Sequence, residues 1–128
     1  MGKQEGKSLY ERLGGIGGIT TIVDDIVENH MSNPAINKRF LPLKDDPEHF
    51  AAVRQHLINF LAAGSGGPEH YTGKDMLSSH KGMNISQGEY MHTIDDIMKA
   101  LAKNNIDEQT QKDVLAIAYS LKSDIAGV

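Results

Sequence analysis

The sequence predicts an all-α fold, and three observations predict it. Apolar residues recur at three- and four-residue spacing in four long stretches, helix-start signals precede most of them, and no stretch alternates as a half-buried strand would. At 128 residues the chain is long enough to bury one core without staples. The expected organisation is a loose tail over 1-7 and one domain over 8-128.

Ser8-Leu9-Tyr10-Glu11 has the spacing of a capping box, so a short helix is expected there, ending at Gly14-Gly15. From Ile19 the apolar positions Ile19, Ile22, Val23, Ile26, Val27, His30 and Met31 make one helical face, with Asp24, Asp25, Glu28 and Asn29 opposite. Asn33-Pro34 reads as a cap followed by a first-turn proline, predicting a brief turn through Ile36 and Phe40. Residues 41 to 45 read as a connection. Asp46-Pro47-Glu48 starts the next helix, which runs to about Ala63 with Phe50, Val53, Leu57, Phe60 and Leu61 inward. Glycines 64, 66 and 67 end it and begin a loop to Gly73. A short helix from Lys74 to about Lys81 follows. Ser86-Gln87-Gly88-Glu89 is a second capping box, opening a helix with Tyr90, Ile94, Ile97, Met98 and Leu101 on one side. Asp107 caps a last helix whose stripe is Val114, Ala118, Leu121 and Ile125.

Composition removes several classes of function. With no cysteine there are no disulfides, thiolate zinc sites, iron–sulfur clusters or thiol nucleophiles, in keeping with a cytoplasmic location. No apolar run approaches the roughly 20 residues that span a bilayer, and the start has no apolar signal core. Neither membrane insertion nor secretion is expected. A net charge of -4, with bases scattered rather than striped among aromatics, gives nucleic-acid binding no support. Six histidines and six methionines beside three phenylalanines and no tryptophan suit a core that wraps something larger than its own side chains.

The most informative segment is Gly66 to Ile85, a glycine-rich loop leading into a short helix that ends on His80. Among Met76, Leu77, Met83 and Ile85, His80 can offer a neutral imidazole to a metal in an apolar pocket. A helix-end histidine can equally serve the negative end of the helix dipole. The residues alone leave open a helical interaction module in which His80 is structural, a helical protein binding zinc or another ion through histidines and carboxylates, and a protein whose metal is held by His80 in an apolar pocket.

Taken together, Leu9 to Gly15, Asn33-Pro34 through Phe40, Gly66-Gly67-Pro68 with Tyr71-Thr72-Gly73, and Met76 through His80 followed by Gly82-Met83 and Ile85 resemble the group I truncated haemoglobins, from about Ser8 to Ile125. The resemblance implies two antiparallel helix pairs stacked around haem b. It assigns His80 to the proximal iron ligand and Phe40 to the ring that wedges against the porphyrin. Tyr71 and Lys74 fall where a propionate would find polar partners, while Met76, Leu77, Ile85 and Tyr90 form the proximal wall. Small gaseous ligands such as O2, CO and NO are the implied partners, with oxygen or nitric oxide handling as the implied task. Oxidation of NO to nitrate, or peroxide-linked turnover, is open to the class and needs an external reductase.

The departures lie on the distal side. Many members carry a tyrosine and a glutamine there, but the matching positions here are Val27 and Leu57, with Val53 at the gate between pocket and solvent. Losing a hydrogen bond worth roughly 1.5–3 kcal/mol weakens retention of oxygen roughly ten- to hundredfold. His49 and His56 flank Val53 on one helical stripe; the resemblance to some cyanobacterial members makes His56 the expected substitute donor or sixth iron ligand, and an insertion around Leu41 to His49 relative to shorter members makes His49 the runner-up.

Other conspicuous residues have plainer readings. His30, on the apolar face of its helix, is expected as a hydrogen-bonded core residue. His70 and His92 belong to a loop and a helix surface, and Met76, Met83, Met91 and Met98 to packing. Asp24-Asp25 and Asp95-Asp96 diverge by about 100 degrees around their helices and are expected on solvated faces. Ser78 and Ser79 lack an oriented base, and glycines 64 to 67 lack the lysine and preceding strand of a phosphate loop.

Overall fold

The computed structural model describes residues 7–73 and 75–127, so most of the expected tail, and Lys74, lie outside the described residues. Helix α1 (Leu9–Arg12) opens on the anticipated capping box: the Glu11 amide donates to Ser8 Oγ at 3.1 Å and the Ser8 amide to Glu11 Oε1 at 3.2 Å. Helix α2 (Gly15–Ser32) starts four residues before Ile19. The glycines end α1 as expected, Leu13 being its C-cap, and they also shape the corner into α2. Gly14 sits at φ +95°, and a Cβ on Gly18 would lie 2.2 Å from the Leu13 carbonyl oxygen.

Two 3₁₀ turns, Asn37–Arg39 and Leu41–Asp45, occupy the segment read as a turn and a connection. Asp46 then caps α3 (Pro47–Gly64), accepting from the His49 amide at 3.1 Å. Helix α4 (Met76–His80) is capped by Asp75, which accepts from the Ser78 amide at 2.7 Å. The second capping box, Ser86 with Glu89, opens α5 (Gln87–Lys103) as expected. Asp107 caps α6 (Glu108–Ser120), but the last helix is not continuous: the chain breaks at Leu121 before a final turn, α7 (Lys122–Ile125). No strand occurs among the described residues.

Helix α2 packs on both α3 and α5, and α5 packs on α6. The main core joins Leu13, Ile19, Ile22, Val23 and Ile26 to Ile58 and Ala62 of α3, Ala100 and Leu101 of α5, and Val114 of α6. Each large aliphatic side chain enclosed there contributes roughly 1.5–3 kcal/mol. A smaller cluster of Tyr90, Ile94 and Ile125, with Met76 and Ile85 against it, gathers α4 and α7 over the start of α5. The Tyr90 hydroxyl donates to the Ala118 carbonyl and fixes that corner.

Helix α3 corrects the sequence reading. Its buried residues are Ile58 and Ala62, whereas Phe50, Val53 and Phe60 are half-buried and Leu57 is 39% exposed. Of the stripe expected inward, Leu61 alone packs against the main core. The helix therefore has two apolar faces, one closed on α2 and one left open, and its spacing could not say which was which.

Candidate functional site

The fold brings Phe40, His80, Ile85 and Tyr90 around one cleft, with Ile36, Met83, Thr93 and Ile125 completing its walls. His80 is the last residue of α4, and its Nδ1 lies 2.8 Å from the Met76 carbonyl oxygen one turn earlier. Ser79 Oγ is 3.0 Å from the same nitrogen and 3.3 Å from that carbonyl, to which it donates. A carbonyl can only accept, so the proton of the neutral ring sits on Nδ1. Nε2 keeps its lone pair. This orientation by a backbone carbonyl is what a metal-binding imidazole requires.

Arg39 and Glu89 also line the cleft, and sequence reading missed both as site residues. The Arg39 guanidinium donates to Glu89 at 2.5 and 3.2 Å, to the Met83 carbonyl at 3.1 Å and to the Asn84 carbonyl at 3.4 Å. It thereby ties the turn carrying Phe40, the loop after His80 and the first turn of α5 into one wall. The arginine's hydrogen bonds, helped by the Ser86 amide, hold the Glu89 carboxyl down at about 2. The one available signal was a base directly preceding Phe40; Glu89 had already been explained as a cap.

The remaining anticipated residues are dispersed. Met76 packs against the small cluster of Tyr90, Ile94 and Ile125, and Leu77 is 44% exposed on α4. Val27 is half-buried against the main core. On α3, Val53 is half-buried, while His49 and His56 are exposed. The His56 ring meets the Tyr71 ring edge-on with centroids 6.1 Å apart, and Phe60 meets Tyr71 at 5.1 Å. None of Val27, His49, Val53, His56 and Leu57 belongs to the walls of the His80 cleft.

Asp96 is the second correction. It is not on a solvated face: it is 2% exposed, and its Oδ2 lies 2.8 Å from Nδ1 of His30, itself 5% exposed. Asn33 Nδ2 donates to both carboxylate oxygens, at 3.3 and 3.2 Å. Its neighbour Asp95 is exposed, as read, and Asp24 pairs with Arg54 at the surface. Asp25 is half-buried, held by Lys103 and Asn104.

An iron porphyrin fits these residues. His80 supplies one lone-pair nitrogen beside an aromatic and aliphatic wall. A lone imidazole suits a metal that brings its other ligands with it.

Comparison with known proteins agrees. The family model of the bacterial-like globins matches residues 8–126. A group 1 truncated haemoglobin of Tetrahymena thermophila is 23% identical over 94% of this chain and 95% of its own. One from Synechocystis is 28% identical over 87% of this chain and 89% of its own. Among solved structures, the Fe(III) form of the Tetrahymena pyriformis truncated haemoglobin superposes with a TM-score of 0.85 at 23% identity, covering 95% of this chain and all of that one. A Synechococcus 2/2 haemoglobin in the cyanomet state, described with covalently attached haem, gives 0.82 at 20% identity over 94% of this chain and 99% of its own. The two-over-two helical arrangement, the oriented His80 and the family match lead to one conclusion: the chain belongs to the bacterial-like globin family and is a haem-binding globin of the group I truncated haemoglobin type.

Proposed function

We propose that the chain holds haem b through His80 and binds small diatomic ligands on the opposite, largely apolar face. The observation that carries this reading is the His80–Met76 hydrogen bond, which leaves Nε2 as the free donor atom in a cleft walled by Phe40, Ile85 and Tyr90. A planar cofactor placed there would separate His80 from the open face of α3. That accounts for the absence of Val53, His56 and Leu57 from the cleft walls, and for apolar side chains left uncovered on that helix. Haem would supply reversible ligand binding at iron; the protein would supply the His80 nitrogen that holds it, an apolar enclosure and the choice of neighbours on the other face.

Val27, Val53 and Leu57 give the ligand no hydrogen-bond donor, so oxygen retention depends on His56. In this reading His56 leaves its edge contact with Tyr71 to become the sixth ligand or to donate to the ligand; His49 is the substitute. Tyr71 and Lys74 are the partners proposed for the propionates. Oxygen or nitric oxide handling with an external reductase is the proposed task, and the cytoplasm the proposed location.

The test is spectroscopic. Purified protein supplied with haem should show a strong Soret band that is lost in His80→Ala. A low-spin ferric spectrum without added ligand should turn high-spin in His56→Leu. An unchanged low-spin spectrum in that variant would remove His56 as sixth ligand and shift attention to His49→Leu. An undiminished Soret band in His80→Ala would remove His80.

A further inference from the structure

Behind Phe40 the structure carries a polar assembly that the haem reading does not use. The His30 ring lies 4.9 Å from the Phe40 ring, with 31° between their planes. Its Nδ1 is bonded to Asp96, whose carboxylate also takes both hydrogen bonds from Asn33, and Asn29 Nδ2 donates to the Asp96 backbone carbonyl at 3.0 Å. These groups come from α2, its C-terminal cap and α5, and both His30 and Asp96 are buried.

Stability alone does not explain such a pair. Burying an ionisable pair carries a desolvation cost that its own attraction barely offsets, and well-packed apolar residues of similar volume serve as well or better. Directional hydrogen bonds do something apolar packing does not: they fix the plane of a ring. Phe40 needs that service. It follows a 3₁₀ turn, is half-buried, and has no polar atom on its side chain to set its tilt. The ring that supports it from behind is held by a carboxylate, and that carboxylate is held by an amide.

We propose that His30, oriented by Asp96 and Asn33, is a positioning residue that sets the angle at which Phe40 meets the porphyrin. The inference rests on the haem reading above and adds to it a residue outside the cofactor pocket. The assembly works through Phe40: its hydrogen bonds join Asn29, His30, Asn33 and Asp96, and its ring contact is with Phe40.

The test compares wild-type holoprotein with His30→Leu, Asp96→Asn and His30→Gln. Glutamine can still donate to Asp96 but has no ring. The readouts are the hyperfine-shifted haem-methyl proton resonances of the cyanide-ligated ferric form, the rate of haem loss to excess apomyoglobin, and thermal unfolding without haem. His30→Gln should keep the unfolding temperature close to wild type while moving the haem-methyl resonances and raising haem loss roughly two- to tenfold, the worth of one aromatic contact. His30→Leu and Asp96→Asn should move the same resonances. If wild type takes up haem and all three variants keep its resonances and loss rate, the pair is a structural feature only and the proposal is overturned. If wild type takes up no haem, the haem reading falls, and this inference with it.

Discussion

At the residue scale, the contrast is between side chains whose role is local and those whose role depends on a partner far along the chain. The place of His80, at the end of a short helix and in the wall of the cleft, was legible because the glycine-rich loop, the short helix and the flanking methionines are contiguous. Phe40 was legible for a similar reason, following Asn33-Pro34 closely. The His30–Asp96 pair spans 66 positions, and adjacency in Asp95-Asp96 said only that the two diverge, not which turns inward. A finer reading of α5 contained the clue: Thr93, Asp96 and Ala100 share a face at three- and four-residue spacing, and Ala100 is fully enclosed.

This burial has a consequence for pH. Burial pushes the His30 imidazole below its ordinary 6.5, against the upward pull of Asp96. Asp96 is the charged group bonded to it, and Asn29 and Asn33 are the neutral groups that complete the assembly. As pH falls below 6.5 the unfolded chain takes up this proton before the folded one does, so stability declines from there towards the lowered folded value. Urea unfolding at about pH 7 and about pH 5.5 should show a larger drop in wild type than in His30→Leu. Equal drops would mean that His30 is not the group responsible.

At the scale of elements, caps were the most reliable signals, since a cap satisfies the amides of its own helix within three residues. Ser8, Asp46, Ser86 and Asp107 all cap as read. Glycine ended α1 and α3 where read, but it also plays parts that spacing does not show. Gly18 permits a close approach inside α2, and a Cβ on Gly67 would lie 2.3 Å from the Tyr10 ring, so part of the loop read up to Gly73 is packed against α1. Spacing is silent about such approaches because they are set by what lies across the gap.

Glu89 shows how one residue can serve two elements, closing the α5 capping box and receiving Arg39. Its carboxyl is held near 2, below the ordinary 4.5, so the stability it contributes is complete above 4.5 and disappears as pH falls towards 2. Glu89→Gln should therefore lower the unfolding temperature at neutral pH and leave it almost unchanged at about pH 2. With the Arg39 clamp gone, the wall carrying Phe40 and the His80 loop should also loosen, seen as faster hydrogen exchange at the Met83 and Asn84 amides. A variant that melts like wild type at neutral pH would show that the pair only decorates the surface, as many exposed ion pairs do.

At the scale of the molecule, the enclosed aliphatic core stands apart from several large apolar side chains left at the surface. The main core joins α2, α3, α5 and α6 through enclosed aliphatic side chains, whereas Leu57, Leu77 and Met83, at 39%, 44% and 41% exposed, remain uncovered. The all-α class and the helix order were visible in periodicity, but this division was not. Both kinds of apolar face have the same spacing, and only the presence of a partner helix separates them. A protein built this way should fold its helical core without cofactor and gain stability when the exposed side chains are covered. At a hundredfold excess of haem over its dissociation constant the gain is about 2.7 kcal/mol, or several degrees in the unfolding temperature. Leu101, fully enclosed in the main core, offers the control. Leu101→Ala should cost roughly 2–5 kcal/mol with or without haem. Because independent sites add, the increment from haem should be the same in the variant as in wild type. Calorimetry of all four species decides it: an increment that collapses in Leu101→Ala would mean that the two regions are one cooperative unit, and that the haem surface has no separate existence in the fold.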